Sequence, residues 1–208
     1  MSPLFERDLS VIVPVYNLER FLPALLESLK KQDIGGYMVE YIFVLNNCTD
    51  ASEDVIRQSD LDCTIISCST QGCGPARNAG LDIATGEYIW FMDGDDWLLS
   101  DTALMDVLDR AHADGINVLR IPYESDRFTW PYFSMVWQYL LKHDYVKEFR
   151  FPHVQPGEDD AYMKDVLAKS GLDPWSFMEL PSMDTSLYYY NYMREGSNMY
   201  RFSRGERI

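Results

Sequence analysis

A chain of 208 residues, 47% of them hydrophobic, is long and apolar enough for one large domain with its own core, which excludes a disordered protein. Its formal net charge of −15, from 18 basic and 33 acidic residues, argues against a general nucleic-acid binder, whose affinity rests on neutralising phosphates. No apolar run approaches the ~20 residues that a membrane-spanning helix needs. The cysteines at 48, 63, 68 and 73 form no CxxC pair and lie far from the three histidines, which argues against zinc. With no signal peptide, these thiols are expected to stay reduced in a cytoplasmic setting.

In chain order, Leu9 to Val15 reads as a buried first strand closed by a turn at Tyr16-Asn17. Leu22, Leu25, Leu26 and Leu29 then recur at helical spacing. Pro23 suits only a first turn, so a helix is expected from about Glu19 or Arg20. Tyr41 to Leu45 is a second strand ending at Asn46-Asn47, followed by a short helix over 51–58 with Asp50 as its N-cap. Cys63 to Ser67 is a third strand, and Pro75 can open a helix that runs to Ala84. The run Tyr88-Ile89-Trp90-Phe91-Met92 then carries a buried strand straight into Asp93, Asp95 and Asp96.

A helix near 101–113 and a strand at 116–121 follow. Phe133, Val136, Trp137, Leu140 and Leu141 fall at i, i+3, i+4, i+7 and i+8, which predicts a helix packed on the core. The sharper alternative for this stripe is an acceptor-side wall or a membrane-surface face. Residues 160–168 form a short helix entered from Pro156-Gly157, and the tyrosine-rich stretch 186–192 predicts an edge strand. Residues 194–208 are locally basic through Arg194, Arg201, Arg204 and Arg207, and read as a solvated terminus. Strands alternating with helices indicate an α/β fold with a parallel sheet. Residues 1–100 look like a nucleotide-binding half, and 101–208 complete one continuous domain.

Three carboxylates within four positions at the end of a buried strand sit where open α/β sheets place their ligands. Their repulsion demands a cation or positive groups nearby. A divalent metal holding a phosphate-bearing ligand is the economical account, and an acidic surface turn is the plain one.

Four segments carry a wider pattern. They are Pro14-Val15-Tyr16-Asn17, Asn46-Asn47-Cys48-Thr49-Asp50, Gly74 to Gly80 with Arg77 at its centre, and Gly86-Glu87-Tyr88 running into Asp93-Gly94-Asp95-Asp96. In order and spacing they closely resemble the family 2 glycosyltransferases of the GT-A fold over residues 9–100, with weaker likeness at Glu158-Asp159 and 190–197. The resemblance implies a mixed, mostly parallel sheet flanked by helices in a single domain. It also implies a nucleotide-diphospho-sugar donor, a Mn²⁺ or Mg²⁺ ion, and inversion at the anomeric carbon. It places the nucleotide against Pro14, Tyr16, Asn17, Asn46, Asn47 and Arg77, the metal at Asp95 and Asp93, and the catalytic base at Asp159 with Glu158 supporting.

The chemistry of these residues agrees. A metal held by Asp95, and by Asp93 directly or through water, would stabilise a diphosphate leaving group. Arg77 can add a fork of donors to phosphate or base, Asp96 suits a sugar hydroxyl, and Gly94 lets backbone approach a ligand. Asp159 would take the acceptor's proton. Its place with Glu158 and Asp160 at a helix N-terminus is expected to depress its pKa. Arg194 is expected to close over the diphosphate.

Asn46 and Asn47 depart from the acidic pair more usual at this strand end. An amide both donates and accepts, which fits uracil and makes UDP the expected carrier; which of the two faces the base stays open. A histidine that serves many relatives as a further metal ligand is missing from residues 190–197. The acceptor is expected to be a glycan or another hydroxyl, approached along the aromatic segment of Tyr123, Phe128, Trp130, Tyr132 and Trp137. A hydroxylated base in DNA is the alternative, disfavoured by the charge, and a degenerate sugar-nucleotide-binding protein is the alternative of another class.

Overall fold

The computed structural model describes residues 5–125, 135–154, 156–172, 177 and 179–191. Elements run in the order β1 (Arg7–Val15), α1 (Leu22–Lys30), β2 (Val39–Leu45), α2 (Ser52–Gln58), β3 (Thr64–Ser67), α3 (Cys73–Leu81), β4 (Gly86–Phe91) and β5 (Trp97–Leu98). Next come α4 (Ala103–Asp114), β6 (Val118–Arg120), β7 (Tyr123–Ser125), β8 (Tyr139–Lys142), α5 (His143–Val146), α6 (Glu158–Lys169) and β9 (Tyr188–Tyr190).

The main sheet has the order β3-β2-β1-β4-β8-β6. β1 pairs in parallel with β2 and β4, and β2 with β3; β8 is antiparallel to both β4 and β6. The expected mixed, mostly parallel α/β sheet in a single domain is what the chain forms. Its central strands are covered on both faces, and β1 shows why its sequence is continuously apolar. Leu9, Val11, Val13 and Val15 enter one core layer, while Ile12 enters the other. The first layer is closed by the leucine stripe of α1 and by Leu104, Val107 and Leu108 of α4. The second is closed by Ala76 and Leu81 of α3 and by Tyr162, Met163, Val166 and Leu167 of α6.

Two expectations are corrected. The stripe from Val136 to Leu141 is not a helix but a 3-10 turn, Val136–Gln138, followed by strand β8. Tyr139 and Leu141 face one core layer and Leu140 the other, so this segment is apolar because a strand buried on two faces must be. A short apolar run satisfies helical and strand spacing alike, and length favours the strand. These side chains are buried in the core, so they form no membrane-surface face. β9 is also not an edge: it is the middle strand of a small sheet, β5-β9-β7. Phe133 lies outside the described residues.

Smaller shifts have local causes. α1 begins at Leu22 because Phe21 and Leu22 donate their N–H groups to the Leu18 carbonyl in a preceding turn, and Pro23 falls in its first turn as expected. Ala51 holds the cap position of α2, and Asp50 still accepts from the Ser52 N–H at 3.1 Å.

The topology positions a cleft. From β1 the chain turns to β2 on one side, while β4 lies on the other. The β1–β2 ladder runs to Val15↔Leu45, whereas the β1–β4 ladder stops at Ile12↔Phe91. β1 and β4 therefore part at their carboxyl ends, at the switch point where open α/β sheets bind ligands.

Candidate active site

Asp93, Asp95 and Asp96 occupy the turn after β4, and one oxygen of each lies within 4.8 Å of the others. The turn is closed by the Asp96 N–H donating to the Asp93 carbonyl at 3.2 Å. Gly94 has a different reason from the expected one. A Cβ there would stand 2.7 Å from Leu18 Cδ1, with Leu22 and Val13 close behind. The glycine lets the acidic turn pack on the start of α1 and is buried, so it offers no surface to a ligand.

Asp96 also differs from expectation. Its side chain is 0% exposed; Oδ2 accepts from the Tyr188 hydroxyl at 2.7 Å and Oδ1 from the Asn191 N–H at 2.8 Å. Burial raises its pKa well above the carboxylate range, and Asp95 and Asp93 add to the rise. Asp96 thus anchors β9 under the acidic turn rather than presenting itself to a sugar hydroxyl. Tyr188 completes the anchor, since its hydroxyl also accepts the Asp93 N–H at 3.1 Å. Sequence reasoning missed Tyr188 and Asn191. The only signal was a β-prone tyrosine run, and local pattern cannot say which strand pairs with it.

Arg77 projects from α3 and is 3% exposed. Nη2 donates to Asp93 at 2.9 Å, and Nη1 to Asp159 at 2.6 Å and to Glu158 at 3.4 Å. Expected to meet a phosphate or base, the guanidinium instead joins the acidic turn to the first turn of α6. Burial opposes its charge, but Asp159 and Asp93 outweigh burial and hold it protonated. Gly74 allows this approach, because a Cβ there would lie 2.8 Å from the Pro152 carbonyl oxygen and 3.4 Å from Glu158 Cβ.

Asp159 sits in the first turn of α6 with Glu158 and Asp160, as expected. Its pKa is not depressed there. Burial pushes it up to about 7; Arg77 opposes the rise, and Glu158 and Asp93 add to it. Desolvation acts on the whole carboxylate, whereas a helix terminus supplies only a fractional charge. Its Oδ2 also accepts the Val136 N–H at 3.3 Å, which ties the base candidate to the entry of β8.

On the β1–β2 side the two asparagines separate. Asn46 is 4% exposed, donates through Nδ2 to the carbonyls of Cys68 (3.1 Å) and Thr70 (2.7 Å), and accepts the Gly72 N–H at 2.8 Å. It pins the loop that leads into α3. Asn47 is exposed, in the left-handed region at φ 57°. Asn17 adopts the same region at φ 52° and ties the two strand ends together, accepting the Thr49 N–H at 2.8 Å. Asparagine tolerates this conformation better than most residues. Pro14 is buried in β1, beyond the last β1–β4 pair, and Tyr16 is 51% exposed at the cleft rim. Arg194 lies outside the described residues.

Of the aromatic segment, Trp137 is buried and stacked on Tyr188 at 4.8 Å, so it is core rather than a sugar platform. Phe128, Trp130 and Tyr132 lie outside the described residues. None of the three histidines reaches the acidic turn: His143 and His153 bond the carbonyls of Gly86 and Gln71, and His112 lies near Glu87.

Comparison with known proteins decides the family. The sequence profile of "Glycosyl transferase family 2" matches residues 10–167. The chain belongs to this family. Among family 2 relatives, TarS of Staphylococcus aureus, named poly(ribitol-phosphate) beta-N-acetylglucosaminyltransferase, is 28% identical over 212 aligned residues. That alignment covers 91% of this chain and 36% of TarS. Glycosyltransferase GlyA of Streptococcus pneumoniae is 36% identical over 101 residues, 47% of this chain and 14% of that protein. The chain thus spans well under half the length of these relatives. The crystal structure of S. aureus TarS 1-349 in complex with UDP-GlcNAc superposes with a TM-score of 0.78 at 24% identity, covering 93% of this chain and 60% of that one. The shared fold is the GT-A architecture. No helix among the described residues is long and apolar enough to cross a membrane.

Proposed function

We propose that this family 2 chain is a metal-dependent inverting glycosyltransferase that moves a sugar from a UDP-linked donor to a hydroxyl of a glycan-type acceptor. One observation carries the reading: Asp93, in the turn after β4, shares a buried arginine with Glu158 and Asp159 of α6, and Asp95 lies beside it. The acidic turn and the first turn of α6 thus meet at the carboxyl ends of the sheet, which supports a cation site beside a base.

The residues fit a hard divalent cation. Asp93, Asp95 and Asp96 offer oxygen ligands within 4.8 Å of one another, and oxygen donors suit Mg²⁺ or Mn²⁺. Because Asp96 is committed to Tyr188 and Asn191, Asp93 and Asp95 would hold the ion. When bound, it supplies Lewis-acid stabilisation of the departing diphosphate.

Asp159 takes the proton of the acceptor hydroxyl as that oxygen attacks, with Glu158 beside it. Tyr16 and Asn47 face the nucleotide, since Asn46 spends its donors and its acceptor on the 68–72 loop. Residues 1–100 thus form the donor half, and 101–208 supply the base and the acceptor side. The neighbour crystallised with UDP-GlcNAc supports a uridine carrier, and the named acceptor of TarS supports a polyol-phosphate or related surface polymer. Catalysis in a cytoplasmic setting fits a nucleotide-sugar donor.

The test is release of UDP from UDP-sugars by the purified chain, paired with thermal shifts. Stabilisation by UDP only with Mn²⁺, together with Mn²⁺-dependent UDP release, is expected. A metal-independent shift, or none with any nucleoside diphosphate, would sink the reading. Asn47→Asp should change the preference among nucleoside diphosphates, whereas Asn46→Asp should weaken all of them about equally.

A further inference from the structure

We infer that Arg77 is a positioning residue that couples occupancy of the Asp93–Asp95 cation site to the hold on the base Asp159; the inference rests on the proposed metal-dependent transfer. One guanidinium serves carboxylates from two distant chain segments. Nη2 belongs to Asp93, while Nη1 is divided between Asp159 and Glu158. Nε is buried and has no hydrogen-bond partner among the described residues, so the terminal nitrogens carry the whole interaction.

The group has little room to move. Its Cζ lies 5.4 Å from the centre of the Phe151 ring, which is itself stacked on Tyr162 at 3.9 Å. The start of α3 is wedged against Pro152 through Gly74. With the guanidinium fixed, what varies is how a single positive charge is shared.

A cation on Asp93 competes with Arg77 for that carboxylate, and the arginine then interacts more strongly with Asp159 and Glu158. Coupling of this kind is reciprocal, so the charge at position 159 must alter cation affinity by the same factor. Without Asp159, Arg77 turns its charge on Asp93 and makes it a poorer ligand. The arrangement holds the base in place when the donor site is loaded.

Calorimetric titration of Mn²⁺ in the presence of UDP tests this on four proteins: wild type, Asp159→Asn, Arg77→Lys and the double variant. Arg77→Lys keeps the charge but replaces the fork by a single ammonium. Asp159→Asn should weaken Mn²⁺ binding about tenfold beside the native arginine and about twofold or less in the Arg77→Lys background. Equal factors in the two backgrounds would overturn the coupling while leaving the metal site intact. No Mn²⁺ binding by wild type, with or without UDP, would overturn the functional reading as well.

Wild type alone gives a second readout that needs no folded variant. The Val136 N–H donates to Asp159 Oδ2 at 3.3 Å. Its hydrogen exchange should slow severalfold with Mn²⁺ and UDP relative to UDP alone, and unchanged exchange would count against the coupling.

Discussion

The two ends of the central sheet treat part-buried acid in opposite ways. At the amino ends of β1 and β4, Glu40 receives the Ser10 hydroxyl at 2.6 Å, the Thr85 N–H at 2.7 Å and the Thr85 hydroxyl at 2.9 Å. One carboxylate meets three neutral donors, and the cluster is complete. At the carboxyl ends, Asp93, Glu158 and Asp159 all pair with Arg77, and Asp95 lies beside Asp93. Among the described residues negative charge exceeds positive there, and burial pushes the Asp159 pKa up to about 7. The first end is built for stability. The second crowds carboxylates together, and charge crowding of this kind marks functional sites.

Substitutions at the two ends should differ accordingly. The largest effect is expected from Asp95→Ala, which removes a proposed cation ligand. UDP release should fall about a thousandfold with little change in melting temperature, since the ligand contribution is worth several kcal/mol. Preserved turnover would mean that the acidic turn is only structural.

Asp159→Asn should lower kcat about a hundredfold or more, the usual worth of general-base catalysis. The pH profile sharpens this. In the proposed role of base Asp159 must be ionised, and its pKa is raised to about 7. Activity should therefore climb about tenfold per pH unit below 7 and level off above it. The variant should lose that slope, and a wild-type profile flat from pH 5 to 8 would remove Asp159 from the role.

Tyr188→Phe tests the underpinning of the acidic turn. It deletes the hydroxyl that joins the Asp93 N–H to Asp96, leaving buried polar groups unpaired at a cost of about 1–3 kcal/mol. Both the melting temperature and Mn²⁺ affinity should fall. The smallest effect belongs to the opposite end. Glu40→Gln keeps an acceptor oxygen for the same three donors, so it should cost no more than about 1 kcal/mol and leave UDP release unchanged. A loss of activity there would erase the contrast between the ends.

Much of this architecture was legible in local pattern. The leucine stripe of α1, the run of β4 into Asp93 and the acids opening α6 all lie where periodicity and breaker residues put them. The misreadings share a cause. Val136–Leu141 fits helical spacing only because every side chain in it is buried, on whichever side it points. Gly94 looked like a ligand contact and is a packing contact with Leu18, and Asp96 looked exposed because carboxylates usually are.

The sequence by itself determined the α/β class, the family, and the placing of three aspartates at a strand's carboxyl end, because side-chain periodicity and chain-order motifs are local properties. Only the tertiary structure decided that Arg77 faces carboxylates, that Asn46 is spent on a loop, and that β9 locks Asp96 beneath the site. Those outcomes depend on which distant segments share a buried volume. There, desolvation and pairing set each group's charge and partner, and no window of sequence contains both sides of such a contact.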